Sequence, residues 1–142
     1  MKKVLIVNAN YYKEISKNLI ISAKKVLRKK KIKIFLIDAP GVFEVPFILQ
    51  KNIKKFDAFI ALGCVIKGET PHFDLICNTT FDQIMNISVS NKKPIGNGII
   101  TALNMSQAKK RSSLSMQNLK PNKGKEAAEA VISLFENEPK KI

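Results

Sequence analysis

One histidine, two cysteines and two arginines are all that this 142-residue chain carries of the residue types most used for metal ligation, redox chemistry and bidentate anion recognition. His72, Cys64 and Cys77 are too few and too scattered to form a metal-ligand set. Two thiols in apolar segments are no disulfide framework either, so a reducing cytoplasm is the expected setting. Long apolar runs are missing: none approaches the ~18 residues that a membrane span needs. The opening "MKKVLIVNANYY" has no apolar core followed by a small-residue cleavage site, so it reads as a first strand, not a leader. Acidic residues are scarce as well, 11 against 25 Lys and Arg, leaving a net charge of +14. Such a surplus invites a nucleic-acid reading. The shortage of arginine argues against it, since Arg28 and Arg111 stand alone and arginine is the residue suited to bidentate recognition. The lysines crowd into "KKRSS", "NLKPNKGK" and "PKKI", as solvated faces do. The expectation is therefore no nucleic acid, no membrane, and an anionic small-molecule substrate.

What is present points to one globular domain over 1–142, with 45% hydrophobic residues to build a core. "KVLIVN" (3–8) reads as a strand. Residues 12–29 place Ile15, Leu19, Ile20, Ala23, Val26 and Leu27 at helical spacing. "KIKIFLID" (31–38) is a second strand, "APGVFEVP" a loop marked by proline and glycine, and 45–54 a short helix. "FDAFIALGCVI" (56–66) is almost wholly apolar, as a strand buried on both faces should be. A helix over 71–90, a strand over 93–101 and helices over 104–113 and 122–137 complete the series. Alternation of this kind implies a parallel sheet with helices on both faces and right-handed crossovers. Ligands of such sheets bind beyond the carboxyl ends of the strands. Those ends are "NANYY", "DAPGVFE", "CVIKGETPH" and "IITALN", and the chemically suggestive residues collect there.

In "KGETPHFD", Thr70 is placed to cap a helix and Pro71 to fill its first position. Free N–H groups of the first turn would then face an anion such as phosphate, with Gly68 allowing close approach. His72 sits on that turn as a group able to take and return a proton near neutral pH. Glu44, in "PGVFEVP", is placed to accept hydrogen bonds from a hydroxyl-rich ligand beside Val42 and Phe43. Tyr11 ends the first strand with a ring that can stack on a flat heterocycle. Arg111 and Lys123 are cations on the C-terminal helices. Singly, each of these is equally at home as a surface residue.

In this order, the segments resemble the lumazine synthase family over nearly the whole chain. "PGVFEVP" is similar to that family's P-G-[AS]-[FW]-E-[IL]-P, and "FDAFIALGCVIKGETPHFDLICN" to its strand, G-x-T-x-H loop and helix start. "IGNGIITALNMSQAKKRS" and "NKGKEAAEAVISL" match its later G-[VI]-[LI]-T, Q-A-x-x-R and N-K-G motifs. The resemblance implies a three-layer α/β/α sandwich, flavodoxin-like, with a four-stranded parallel sheet. It implies condensation of 5-amino-6-(D-ribitylamino)uracil with 3,4-dihydroxy-2-butanone 4-phosphate to 6,7-dimethyl-8-ribityllumazine in riboflavin biosynthesis, with phosphate and water released and no cofactor or metal. By position, it makes His72 the proton-transfer residue, Glu69 and Thr70 the phosphate loop, and Arg111 the phosphate-binding arginine. Tyr11 then stacks on the pyrimidine, Val42, Phe43 and Glu44 hold the ribityl chain, and Cys64, Val65 and Ile66 read the pyrimidine edge. Asn97 and Lys123 are further contacts. "NYY" replaces the family's arginine-phenylalanine-asparagine, so Asn10 and Tyr12 are not matched, and Asn97 stands where many members have phenylalanine. The segment that in relatives precedes the first strand and pairs with a neighbour's sheet is not expected here. The resemblance also implies a pentamer with sites between adjacent subunits. A long stretch between Arg111 and "NKG" leads us to expect an isolated pentamer or decamer, not an icosahedral shell. Two other readings stay open at this point: an archaeal-type riboflavin synthase acting on the lumazine, and a non-catalytic binder of flavin-like ligands or RNA.

Overall fold

The computed structural model describes residues 1–115 and 121–142. Four parallel strands form one sheet: β1 (Lys3–Ala9), β2 (Lys33–Ala39), β3 (Ala58–Ile66) and β4 (Ile95–Ala102), in the order β2-β1-β3-β4. Five α-helices connect and cover them: α1 (Lys13–Arg28), α2 (Val45–Asn52), α3 (His72–Asn91), α4 (Met105–Ser112) and α5 (Lys123–Glu136). The chain steps outward from β1 to β2 and then returns past β1 to β3. Right-handed crossovers therefore put α1 on one face and α2 and α3 on the other. The result is the three-layer α/β/α, flavodoxin-like sandwich expected from the sequence.

Alternation along the central strands feeds two cores. Val4, Ile6, Ile60, Leu62 and Ile100 pack under α1, α4 and α5, with Leu19, Leu27, Ala108 and Val131. Leu5, Val7, Phe59, Ala61 and Ile99 pack under α2 and α3, with Leu49, Ile84 and Ile87. β1 and β3 are buried on both faces, which is why their sequences are nearly continuous in apolar residues. β2 is an edge strand, and Phe35, Leu36 and Ile37 remain exposed on it.

α5 lies unusually close to its neighbours. A Cβ on Gly96 of β4 would come 2.2 Å from the Ala127 carbonyl oxygen, and one on Gly124 would come 2.2 Å from that of Leu19. Asn122 caps the helix, its Oδ1 accepting from the N–H groups of Gly124 and Lys125 at 2.8 and 3.1 Å. The "NKG" sequence is thus accounted for first by a cap and a backbone contact.

Two details differ from the expectation. Val42–Glu44 forms a single 3-10 turn where a loop was anticipated. The start of α3 also shifts by one residue. Pro71, with ψ of 5°, stays outside the helix and is the half-in residue, so Thr70 is not the cap. Its carbonyl accepts from the N–H of Leu75 at 3.2 Å, and having no side-chain acceptor it leaves most first-turn amides uncapped.

Candidate active site

The strand order reverses between β1 and β3, because the connections leave these two strands in opposite directions. At that topological switch point the loops diverge and leave a crevice above the carboxyl ends. A cavity of 650 Å³ occupies it. Tyr11 and Tyr12 enter from the end of β1, and Gly41 to Glu44 from the turn after β2. Cys64, Val65 and Ile66 enter from the end of β3, and His72 and Ile76 from the first turns of α3.

Each wall has a local cause. Gly63 lies between Ala9 and Val42, where a Cβ would meet their side chains at 3.0 and 2.9 Å. Its missing side chain lets the 3-10 turn settle on the sheet. Val42 is buried as the anchor, while Phe43, 62% exposed, and Glu44 face outward beside the cavity. The Tyr11 ring is 74% exposed and meets Tyr12 edge-on, with centroids 5.0 Å apart and planes at 80°. Tyr12 is half-buried against the α1-side core. Cys64 is 6% exposed, and burial pushes its thiol up to about 12. Burial also raises the Tyr12 phenol, with smaller contributions from Cys64 and Tyr11. Both groups are therefore uncharged at neutral pH, on a wall suited to an uncharged heterocycle.

The opposite side is polar. His72 begins α3 and is exposed to the cavity. Its N–H makes only a long bond to the Thr70 hydroxyl, at 3.4 Å. Glu69 and Thr70 lie on the exposed approach without lining the cavity. A Cβ on Gly68 would meet nothing within 4 Å, so the backbone there is approachable without glycine being sterically required.

Three expected residues lie elsewhere within the chain. Asn97 is on the exposed side of edge strand β4, its Oδ1 accepting from the Ile99 N–H at 3.1 Å. Arg111, in the last turn of α4, donates to the Gln107 carbonyl at 3.2 Å. Lys123 pairs with Glu126 at 2.9 Å. None of the three lines this cavity. Part of the stretch between Arg111 and "NKG", residues 116–120, lies outside the described residues.

Tyr12, Gly41 and Ile76 line the cavity although sequence reasoning did not select them. Ile76 was legible as the residue one helical turn after His72. Tyr12 was set aside because it departs from a motif. Cys77 is half-buried on α3. A second cavity of 480 Å³ lies between α1 and α4, with Tyr12 on its wall as well. Among the described residues no cluster of His, Cys, Asp or Glu could hold a metal ion, and no helix is long and apolar enough to cross a membrane.

Fold and cavity together define an α/β protein with a partly apolar cavity at the carboxyl ends of its strands, beside one histidine. The family model for 6,7-dimethyl-8-ribityllumazine synthase matches residues 1–138. The enzyme of that name from Methylorubrum populi is 38% identical over 140 residues, covering 94% of this chain and 80% of the relative. The one from Bartonella bacilliformis is 37% identical over 136 residues, covering 93% and 87%. The one from Vesicomyosocius okutanii is 36% identical over 144 residues, covering 94% and 84%. The chain belongs to the 6,7-dimethyl-8-ribityllumazine synthase family, transferases of riboflavin biosynthesis.

Proposed function

We propose that this cavity condenses 5-amino-6-(D-ribitylamino)uracil with 3,4-dihydroxy-2-butanone 4-phosphate, with residues 1–142 acting as one domain. The observation that carries the reading is the meeting of His72 with Tyr11, with the Val42–Glu44 turn and with the end of β3 in one crevice. The uncharged pyrimidine stacks on Tyr11 and presents its polar edge to the backbone of Cys64, Val65 and Ile66. The ribityl hydroxyls lie along Val42, Phe43 and Glu44. The phosphate docks at the N-terminus of α3 beside Glu69 and Thr70, where free amides and the helix dipole favour an anion.

The substrate amine attacks the ketone, and loss of water gives an imine. Phosphate then leaves, and the second amine closes the ring with loss of the remaining water. Each stage moves protons between nitrogen and oxygen or carbon, and His72 is the group at hand to carry them. Holding both substrates in register supplies the rest, and the residues invoked need no cofactor.

Arg111, Asn97 and Lys123 complete the account as contributions from a neighbouring subunit. Apolar side chains left exposed on β2, α2 and α3, among them Phe35, Leu36, Phe47, Met85 and Val89, support a homo-oligomer. We take it as a pentamer or decamer in the cytoplasm. Five chains of 15.9 kDa make a particle of about 80 kDa. Light scattering that found about a megadalton would replace this with a shell.

The deciding experiment mixes purified protein with both substrates and follows lumazine fluorescence and free phosphate together. The reading predicts one phosphate per lumazine. Riboflavin formed from lumazine alone, or binding without turnover, would refute it.

A further inference from the structure

We infer that Tyr12 is a positioning residue, which fixes the Tyr11 ring in the orientation that stacks on the heterocycle. The inference rests on the proposed reaction and assigns a role to a residue that departs from the family motif. Tyr11 is 74% exposed, and its one ring contact among the described residues is the edge-on meeting with Tyr12 at 5.0 Å. An exposed tyrosine held by nothing else would sample several rotamers, and stacking would have to select one of them. Tyr12 can prevent this because it is itself held twice over. Its side chain packs against the core beneath α1. Its backbone is the extended N-cap of α1, with the carbonyl accepting from the Ser16 N–H at 2.9 Å. Ser16 in turn donates its hydroxyl to the Ala9 carbonyl at 3.0 Å, so strand end, corner and helix start are joined through one residue. The 80° interplanar angle is the arrangement in which a ring edge meets a ring face favourably.

The geometry separates two properties of Tyr12. The ring is needed for the edge contact, whereas the hydroxyl is not. Tyr12→Phe therefore keeps the pyrimidine-substrate KM within about twofold of wild type. Tyr12→Leu, apolar but without a ring, raises that KM roughly three- to tenfold, the worth of one aromatic pair. It leaves kcat and the KM for the phosphorylated ketone unchanged. In a Tyr11→Leu background the Tyr12→Leu change adds nothing further, because the ring it positions is gone.

Steady-state kinetics on the wild type and the four variants, with the affinity of a ribitylaminopyrimidine analogue measured by calorimetry, tests this. Additive losses from the two Leu substitutions would overturn the inference, as would a Tyr12→Phe protein as impaired as Tyr12→Leu. So would a fall in kcat in place of a rise in KM. If Tyr12→Leu fails to fold, Tyr12→Met, also apolar and without a ring, takes its place with the same expected and excluded outcomes. A wild-type protein that forms no lumazine and binds no analogue would refute the proposed reaction, and this inference would fall with it. Normal wild-type turnover, with the pyrimidine KM raised in Tyr11→Leu but unchanged in Tyr12→Leu, would refute the inference alone.

Discussion

The seam where α5 meets β4 and α1 and the crevice above β1 and β3 are built on opposite rules. In the seam, space dictates the residue: at Gly96 and Gly124 an added methyl would overlap a backbone oxygen. In the crevice, space is left open, Gly68 has nothing near it, and Tyr11 and Phe43 stand exposed. A sequence motif alone cannot tell these cases apart. "NKG" and "KGETPH" both pair a polar residue with a glycine, yet one packs a helix and the other begins a helix beside a cavity.

The contrast is broken most severely by His72→Ala. The side chain is exposed, so unfolding should be unaffected within about 0.5 kcal/mol. Turnover should fall about 100-fold or more, the usual loss for a proton-transfer group, with analogue affinity nearly constant. Equal losses in both would assign His72 to binding.

Next in size is Gly124→Ala, which should cost about 3 kcal/mol in denaturant unfolding, at the upper end of overpacking effects. Gly68→Ala should cost less than about 0.5 kcal/mol, since its Cβ enters open space and the backbone φ is not positive. Similar costs at both glycines would erase the distinction between seam and crevice.

Arg111→Ala should raise the KM for the phosphorylated ketone about tenfold, the worth of a charge-assisted hydrogen bond, and leave the pyrimidine KM unchanged. Arg111 does not line the cavity of its own chain, and in the proposed assembly it serves a neighbour's. Co-assembled at a one-to-one ratio, His72→Ala and Arg111→Ala chains should restore intact sites at about a quarter of interfaces, one half times one half. No intact sites in the mixed particles would place both groups in a single chain.

The last effect is one of pH. The folded Cys64 thiol lies at about 12 against an ordinary 9.0. A raised acid contributes stability that is present below the unfolded value and lost as pH climbs toward the folded one. Between about pH 9 and 12, wild type should therefore lose about 1.4 kcal/mol per pH unit more than Cys64→Ala. Equal slopes would mean that Cys64 is not buried as described.

Much of this architecture was legible in the sequence because its signals are local. The apolar run 56–66 and the spacing of Ile15, Leu19, Ala23 and Leu27 mark a central strand and its covering helix without reference to the rest of the chain. Strand-end loops were legible as the walls of a candidate site because parallel sheets leave a crevice there. Tyr12 and the cap of α3 were not. The first depends on which way a ring turns at a corner, and the second on a proline ψ that helix-start statistics average over. The separation of Arg111, Asn97 and Lys123 from the cavity of their own chain was not legible in their motifs, which align residues without placing them in space.

The most direct test of the central claim is a crystal structure of the protein with a ribitylaminopyrimidine analogue and inorganic phosphate. The account predicts the heterocycle between the Tyr11 ring and the backbone of Cys64 to Ile66, with the phosphate at the start of α3 within reach of His72. A heterocycle bound instead in the cavity between α1 and α4, or a phosphate remote from that helix start, would contradict it.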